Sequence, residues 1–206
     1  MTLGEREILG LAYLSFEVSD LAAWDRLLVE TIGLERGKDA PDGALTYRLD
    51  ENAARFFLKE GRADDLVALG FEVASDEALS RLLARLELAN VRSKVLPGAP
   101  RFAETRMEIL EPGGLPIELI AGADRLDPPK LPLVPGGFKT GDFGLGHIAL
   151  RARSLEESRR FFEELLDFGL SDRIECELLG GYHVDIAFLH ANRRHHTVAL
   201  GEGLPK

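Results

Sequence analysis

The chain is nearly without cysteine: Cys176 stands alone among 206 residues. An intrachain disulfide is therefore excluded, and a reducing, cytoplasmic setting is expected. No apolar run approaches the roughly 20 residues of a membrane-spanning helix. The opening MTLGEREILG is charged where a secretory leader would be apolar. Excess positive charge is missing too. A net charge of −10 argues against a protein that grips nucleic-acid phosphates, which needs a basic face. The motifs HExxH, CxxC, GxSxG and the P-loop do not occur. Gly144 and Gly146 precede an extended stretch, whereas the glycines of a dinucleotide fingerprint follow a strand and open a helix. Histidine is missing from the first 146 residues.

What the chain does have is an internal repeat. LGLAYLSFEVSDLAAWDRLLVETIGL (9–34) and GLGHIALRARSLEESRRFFEELLDF (144–168) each pass from an alternating stretch into a helical pattern. In the first, Leu21, Trp24, Leu28 and Ile32 follow helical spacing behind Ser19 and Asp20, both good N-cap types. In the second, Leu155, Phe162, Leu165 and Leu166 do the same, with Ser154 and Glu157 spaced as a capping box. A fainter copy runs from LVALGFEVAS (66–75) into a helix predicted over 77–88. Short strands are predicted after each helix, at 44–50 and 54–60, 104–112 and 115–122, 181–191 and 196–203.

The chain thus reads as an α+β protein of three βαβββ units, at about 8–62, 63–122 and 143–203. The expected division is an N-terminal domain of two paired modules (1–122), a linker (123–142) and a third module (143–206). Prolines and a Gly-Gly pair mark the linker. A single βαβββ unit is a curved sheet with one covered face. Units one and two can pair with each other, while unit three has no partner of its own kind.

All five histidines fall in unit three: His147, His183, His190, His195 and His196. Such clustering suits a metal or acid–base site, although a polar hairpin without a role has the same composition. Alternation in GHIALRA places Ile148 and Leu150 on the helix-covered face and His147, Ala149 and Arg151 on the open one. In HANRRHHTVAL, adjacent strand residues would point oppositely, so only one of His195 and His196 should share a cavity with His147. Spacing leaves both open. Glu163 and Glu164 read as a solvated helix face.

The segments LAYLSFEVSDLAAWDRLLVETIGL, FKTGDFGLGHIAL, GLSDRIE and HANRRHHTVAL resemble those of type I extradiol dioxygenases of the vicinal oxygen chelate superfamily. The resemblance is to the branch acting on 2,3-dihydroxybiphenyl, dihydroxynaphthalenes and catechols, and it runs the length of the chain. It implies four βαβββ modules in two domains, with Fe(II), rather than Mn(II), held only in the second. Its ligands would be two histidines and a glutamate, the facial triad of non-haem iron oxygenases. The resemblance places one metal ligand at His147, the acid–base histidine at His196 and substrate-lining positions at Ala149 and Phe188. His195 is then the outward neighbour. Tyr13, Ala68 and Glu118 occupy the equivalent positions of the first domain.

The resemblance further implies oxidoreductase activity in aromatic hydrocarbon catabolism such as biphenyl degradation. A catecholic substrate and dioxygen would be the partners, in a homo-oligomer without nucleic acid or membrane. The remaining two ligands are expected beyond Lys206, so the chain reads as C-terminally truncated and inactive alone. A metal-independent small-molecule binding protein of the same superfamily, or a non-catalytic fragment, is the alternative.

Overall fold

The computed structural model describes residues 6–140, 143–178 and 181–203. The first module comprises β1 (Ile8–Val18), α1 (Leu21–Arg26), β2 (Glu35–Arg36), β3 (Leu45–Arg48) and β4 (Phe56–Glu60). The second comprises β5 (Asp65–Val73), α2 (Asp76–Leu88), β6 (Ser93–Leu96), β7 (Ala103–Leu110) and β8 (Pro116–Ala123). The third comprises β9 (Ile148–Arg151), α3 (Leu155–Arg160), β10 (Gly169–Leu178), β11 (Tyr182–His190) and β12 (Val198–Glu202). The predicted βαβββ repeat is therefore observed three times.

Helix starts follow local chemistry. The carboxylate of Asp20 accepts from the Ala23 amide at 2.8 Å, and the hydroxyls of Ser75 and Ser154 accept from Ala78 and Glu157. In α2, Leu79, Leu82 and Leu86 recur at helical spacing and are fully covered. The helix stops where Asn90 adopts φ 57°, the left-handed conformation that ends the helical ladder.

Each module closes in the same way: its first strand pairs parallel with its last, β1 with β4, β5 with β8 and β9 with β12. The first two modules join through antiparallel β1 and β5 into a sheet ordered β2-β3-β4-β1-β5-β8-β7-β6. The third forms its own sheet, ordered β10-β11-β12-β9. Among the described residues no strand pairs with the outer edge of β9, the edge that corresponds to the β1 edge taken by β5.

The helix-bearing faces of the two sheets share one core. Phe71 of β5 meets Phe162 and Phe168 edge-on, with ring centroids 6.3 and 5.3 Å apart. Leu82 and Leu86 of α2 join the same cluster as Leu155, Phe161, Leu189 and Leu200. Arg85 of α2 caps the far side by donating to the Leu165 carbonyl at 2.9 Å. Burial on this scale, at about 25 cal/mol per Å² of apolar surface, fixes the third module against the first two and leaves its opposite face open.

Two features depart from expectation. Helical spacing over 21–32 and 155–166 holds, but both helices widen into π turns, Leu27–Ile32 and Phe161–Leu165. A side-chain pattern of period 3.6 does not register one extra residue per turn. Strands β2, β6 and β10 were not foreseen as elements. All three lie at sheet edges; β2 and β10 are rich in charge and β6 is only four residues long, so none shows the apolar alternation by which strands are read. Among the described residues no helix is long and apolar enough to cross a membrane.

Candidate active site on the open face of the third module

The parallel register of β9 and β12 builds the site. Val198 lies opposite Ile148 and Ala199 opposite Ala149. The Ile148 amide donates to the Thr197 carbonyl at 3.0 Å. His147, one residue before β9, and His196, two residues before β12, are thereby brought side by side, with ring centroids 4.3 Å apart. Phe188 of β11 stands opposite Ala199, and its ring lies 5.0 Å from that of His196. Ile148 and Leu150 pack on the core, while Ala149 and Arg151 are exposed, as alternation predicts. Beside the histidines Ala149 is exposed and Ala199 is buried, and neither side chain extends beyond Cβ.

All four residues singled out from the sequence, His147, Ala149, Phe188 and His196, therefore meet on one face. His195 takes a different place from His196. It is the exposed member of the pair, and its ring lies 5.3 Å from that of His196 and 5.9 Å from that of Phe188, while the ring beside His147 is that of His196. Residues 191–197 form a turn, and β12 starts only at Val198. Alternation does not apply before that point. The Nδ1 atoms of His195 and His196 are 3.0 Å apart.

Burial, and then the neighbouring imidazoles of His147 and His195, push the pKa of His196 below the ordinary 6.5. Near neutral pH its ring is thus uncharged and can accept a proton. His190 is lowered as well, by burial first and then by Arg6 and His195.

Imidazole nitrogens suit iron. Among the described residues, however, no group of three or more His, Cys, Asp or Glu side chains is gathered to hold a metal. His147 and His196 alone do not complete an iron site, and the other ligands of a triad would have to come from outside the described residues.

The corresponding interior of the first sheet is filled instead of open. The Tyr13 hydroxyl donates to Glu118, and Arg106 grips the same carboxylate with Nε and Nη2 at 2.6 and 2.7 Å. The Arg101 guanidinium lies over the Phe57 ring, 4.5 Å from its centroid. Burial, then the charge and hydrogen bond of Glu118, hold the Tyr13 pKa well above the ordinary tyrosine value. Sequence reading found Tyr13 and Glu118 but missed Arg101 and Arg106. Arginines in a charged, alternating strand such as ETRMEIL look solvent-facing. Asn192, Ser171 and His190, which brace the histidine turn, were also missed as supports.

The family described as Dihydroxybiphenyl dioxygenase BphC D1 matches residues 11–61, and the Glyoxalase/Bleomycin resistance protein/Dioxygenase superfamily matches 144–206. The biphenyl-2,3-diol 1,2-dioxygenase of Pseudomonas sp. (strain KKS102) is 38% identical over 195 residues, covering 92% of this chain and 66% of that protein. The enzyme of the same name from Paraburkholderia xenovorans (strain LB400) is 34% identical over 209 residues, covering 97% and 68%. The solved structure of BphC, a halotolerant catechol dioxygenase, superposes with a TM-score of 0.87 at 28% identity, covering 97% of this chain and 66% of that one. The 2,2',3-trihydroxybiphenyl 1,2-dioxygenase of Sphingomonas wittichii strain RW1 gives 0.76 at 30% identity, covering 95% and 68%. The chain spans about two-thirds of the length of these relatives. With the repeated βαβββ modules and the His147–His196 face already established, the chain belongs to the type I extradiol dioxygenases of the vicinal oxygen chelate superfamily.

Proposed function

We propose that the open face of the third module is half of an extradiol ring-cleavage site for a catechol such as 2,3-dihydroxybiphenyl, working with Fe(II) and dioxygen. One observation carries the reading: His147 and His196 stand with rings 4.3 Å apart beside the apolar wall of Phe188. The names of the relatives, biphenyl-2,3-diol 1,2-dioxygenases and a 3-methylcatechol 2,3-dioxygenase, support the substrate class. A relative called an iron-dependent extradiol dioxygenase supports the metal.

In this reading His147 is one iron ligand. The chemistry that iron would supply there is electron relay between a catechol and dioxygen. His196, neutral near pH 7, takes the proton of a catechol hydroxyl and later returns it. Its Nδ1 is engaged by His195, so Nε2 is the nitrogen that meets the substrate. Phe188 packs against the aromatic ring of the substrate, and Ala149 leaves room for it. Homo-oligomer formation and a cytoplasmic location belong to the same reading, as do the two module-pair domains at 1–122 and 143 onward.

The test is complementation. The 206 residues alone, given Fe(II), air and 2,3-dihydroxybiphenyl, are expected to form no yellow ring-opened product, because one ligand cannot hold the metal. Joined to the remaining third of the KKS102 relative, they are expected to gain ring cleavage. A folded, iron-loaded chimera without turnover would sink the proposal.

A further inference from the structure

The side chain of Asn192 sits where three separate parts of the chain meet. Its amide nitrogen donates to the carbonyl of Leu9, at the start of β1, at 2.7 Å. The same nitrogen donates to the carbonyl of Phe143, in the segment leading into His147, at 3.1 Å. Its oxygen accepts from the Arg194 amide at 3.0 Å, inside the turn that carries His195 and His196. Two carbonyl acceptors and one amide donor fix which end of the carboxamide points which way. No acid or hydroxyl of similar size offers two donors and one acceptor in that arrangement.

Neighbouring bonds reinforce the junction. The Leu145 amide donates to the Leu11 carbonyl at 2.8 Å, so β1 of the first module holds the lead-in to His147 as a strand would. A Cβ on Gly10 would collide with the Phe143 carbonyl, and this close approach brings the lead-in within reach of Asn192. From the other side, Arg194 Nη2 donates to the carbonyls of Thr140 and Gly144, at 2.6 and 3.3 Å.

The geometry closes a small circuit. Phe143 to His147 is a step of four residues, and so is Asn192 to His196. The Asn192–Phe143 bond ties the two segments at one end, and the Ile148–Thr197 bond ties them just past the histidines. Between these two ties the His147 and His196 rings lie together.

We infer that Asn192 is a positioning residue: by fastening the histidine turn to both the His147 lead-in and β1, it sets the placement of His196 against His147. The inference rests on the ring-cleavage reading for its consequence, and on geometry alone for its content. It gives the first module a part in the reaction although that module brings no histidine to the site. The module acts as the frame on which the two histidine-bearing segments are pinned.

The test uses the metal-free 206-residue chain with labelled histidine. A nuclear Overhauser cross-peak between the His147 and His196 rings is expected in the unmodified protein. Asn192→Asp keeps the shape but turns oxygens on the Leu9 and Phe143 carbonyls, and the cross-peak should be lost while the methyl spectrum of the core stays folded. Arg193→Ala, at the exposed neighbouring position, should leave it intact. If Asn192→Asp does not fold, Asn192→Ala decides, since it removes all three side-chain bonds without setting an oxygen against the two carbonyls. Loss supports the inference and persistence overturns it. In the chimera, Asn192→Asp should lower kcat roughly a hundredfold, the scale of a misplacement of about 1 Å, with KM little changed. A folded Asn192→Asp protein with an intact cross-peak would overturn the inference, even if the chimera cleaves catechols. A lost cross-peak beside an inactive chimera would uphold it and remove only the catechol reading.

Discussion

Arg106 and Glu118 form a two-pronged ion pair inside the first sheet, with Nε–Oε2 and Nη2–Oε1 separations of 2.6 and 2.7 Å. Tyr13, on the strand that corresponds to the His147 strand of the third module, donates to the same carboxylate. The first sheet has thus kept the repeat geometry and filled its interior with a satisfied polar cluster. Both members of the pair are buried, so their value lies in being paired. Glu118→Gln should strand the Arg106 charge and cost about 3–5 kcal/mol, whereas replacing both residues with apolar ones of similar volume should cost far less. Urea unfolding of the single and double variants measures the difference. The iron content of the chimera should be the same with Glu118→Gln as without it, because this cluster is not a metal site. A fall in iron would assign Glu118 a ligand role instead.

The two histidines of the third module should separate by function. In the chimera, His147→Ala is expected to lose bound iron and turnover together. His196→Ala should retain iron and lose turnover by about 10²–10⁴-fold, the usual contribution of a general acid–base group. Metal analysis alongside a ring-cleavage assay distinguishes them. Iron loss in His196→Ala would exchange the roles given to the pair.

Much of this face is legible in the sequence. The period-two pattern of GHIALRA placed His147 and Ala149 on the open face because only Ile148 and Leu150 could enter the core. Helical spacing likewise grouped Leu155, Phe162, Leu165 and Leu166, of which the first two and the last are buried in the core and Leu165 packs against it. What stayed hidden depends on contacts far apart in sequence. Asn192 gives no local sign that its partners are Leu9 and Phe143. Arg101 and Arg106 look like surface charge until the sheet closes around Glu118. Spacing could not choose between His195 and His196, because both sit in a turn where the backbone does not alternate.

A second support for the histidine turn is sensitive to protons. Arg6 Nη2 lies 3.2 Å from His190 Nε2, and a guanidinium can only donate. His190 therefore accepts at Nε2, carries its proton on Nδ1 and donates to the Ser171 hydroxyl at 2.6 Å. Ser171 in turn donates to the His195 carbonyl. This order requires neutral His190, and burial, followed by the charges of Arg6 and His195, lowers its pKa from 6.5. The unfolded chain then takes up this proton first as pH falls. The contribution to stability is complete above about pH 6.5 and is lost as pH drops through the folded value. His190→Gln should flatten the fall in melting temperature between about pH 7 and 5. An unchanged slope would show that the wire does not titrate.

The close approach of β1 to the His147 lead-in makes a last prediction, at Gly144. Its φ is +76°, and a Cβ there would collide with the Leu11 carbonyl, the acceptor of the Leu145 amide. Gly144→Ala thus meets two penalties, a left-handed backbone and a steric clash, of order 1–3 kcal/mol for the backbone alone. Gly43 offers the control: its φ is +84°, but nothing lies within 4 Å of a Cβ built there. Gly43→Ala should show only the conformational cost. If the lead-in yields to relieve the clash, amides 143–147 in Gly144→Ala should exchange with solvent faster than in the unmodified protein, while those of α2 stay protected. Equal destabilisation by the two substitutions, with unchanged exchange at 143–147, would mean that contact with β1 does not hold the segment in place.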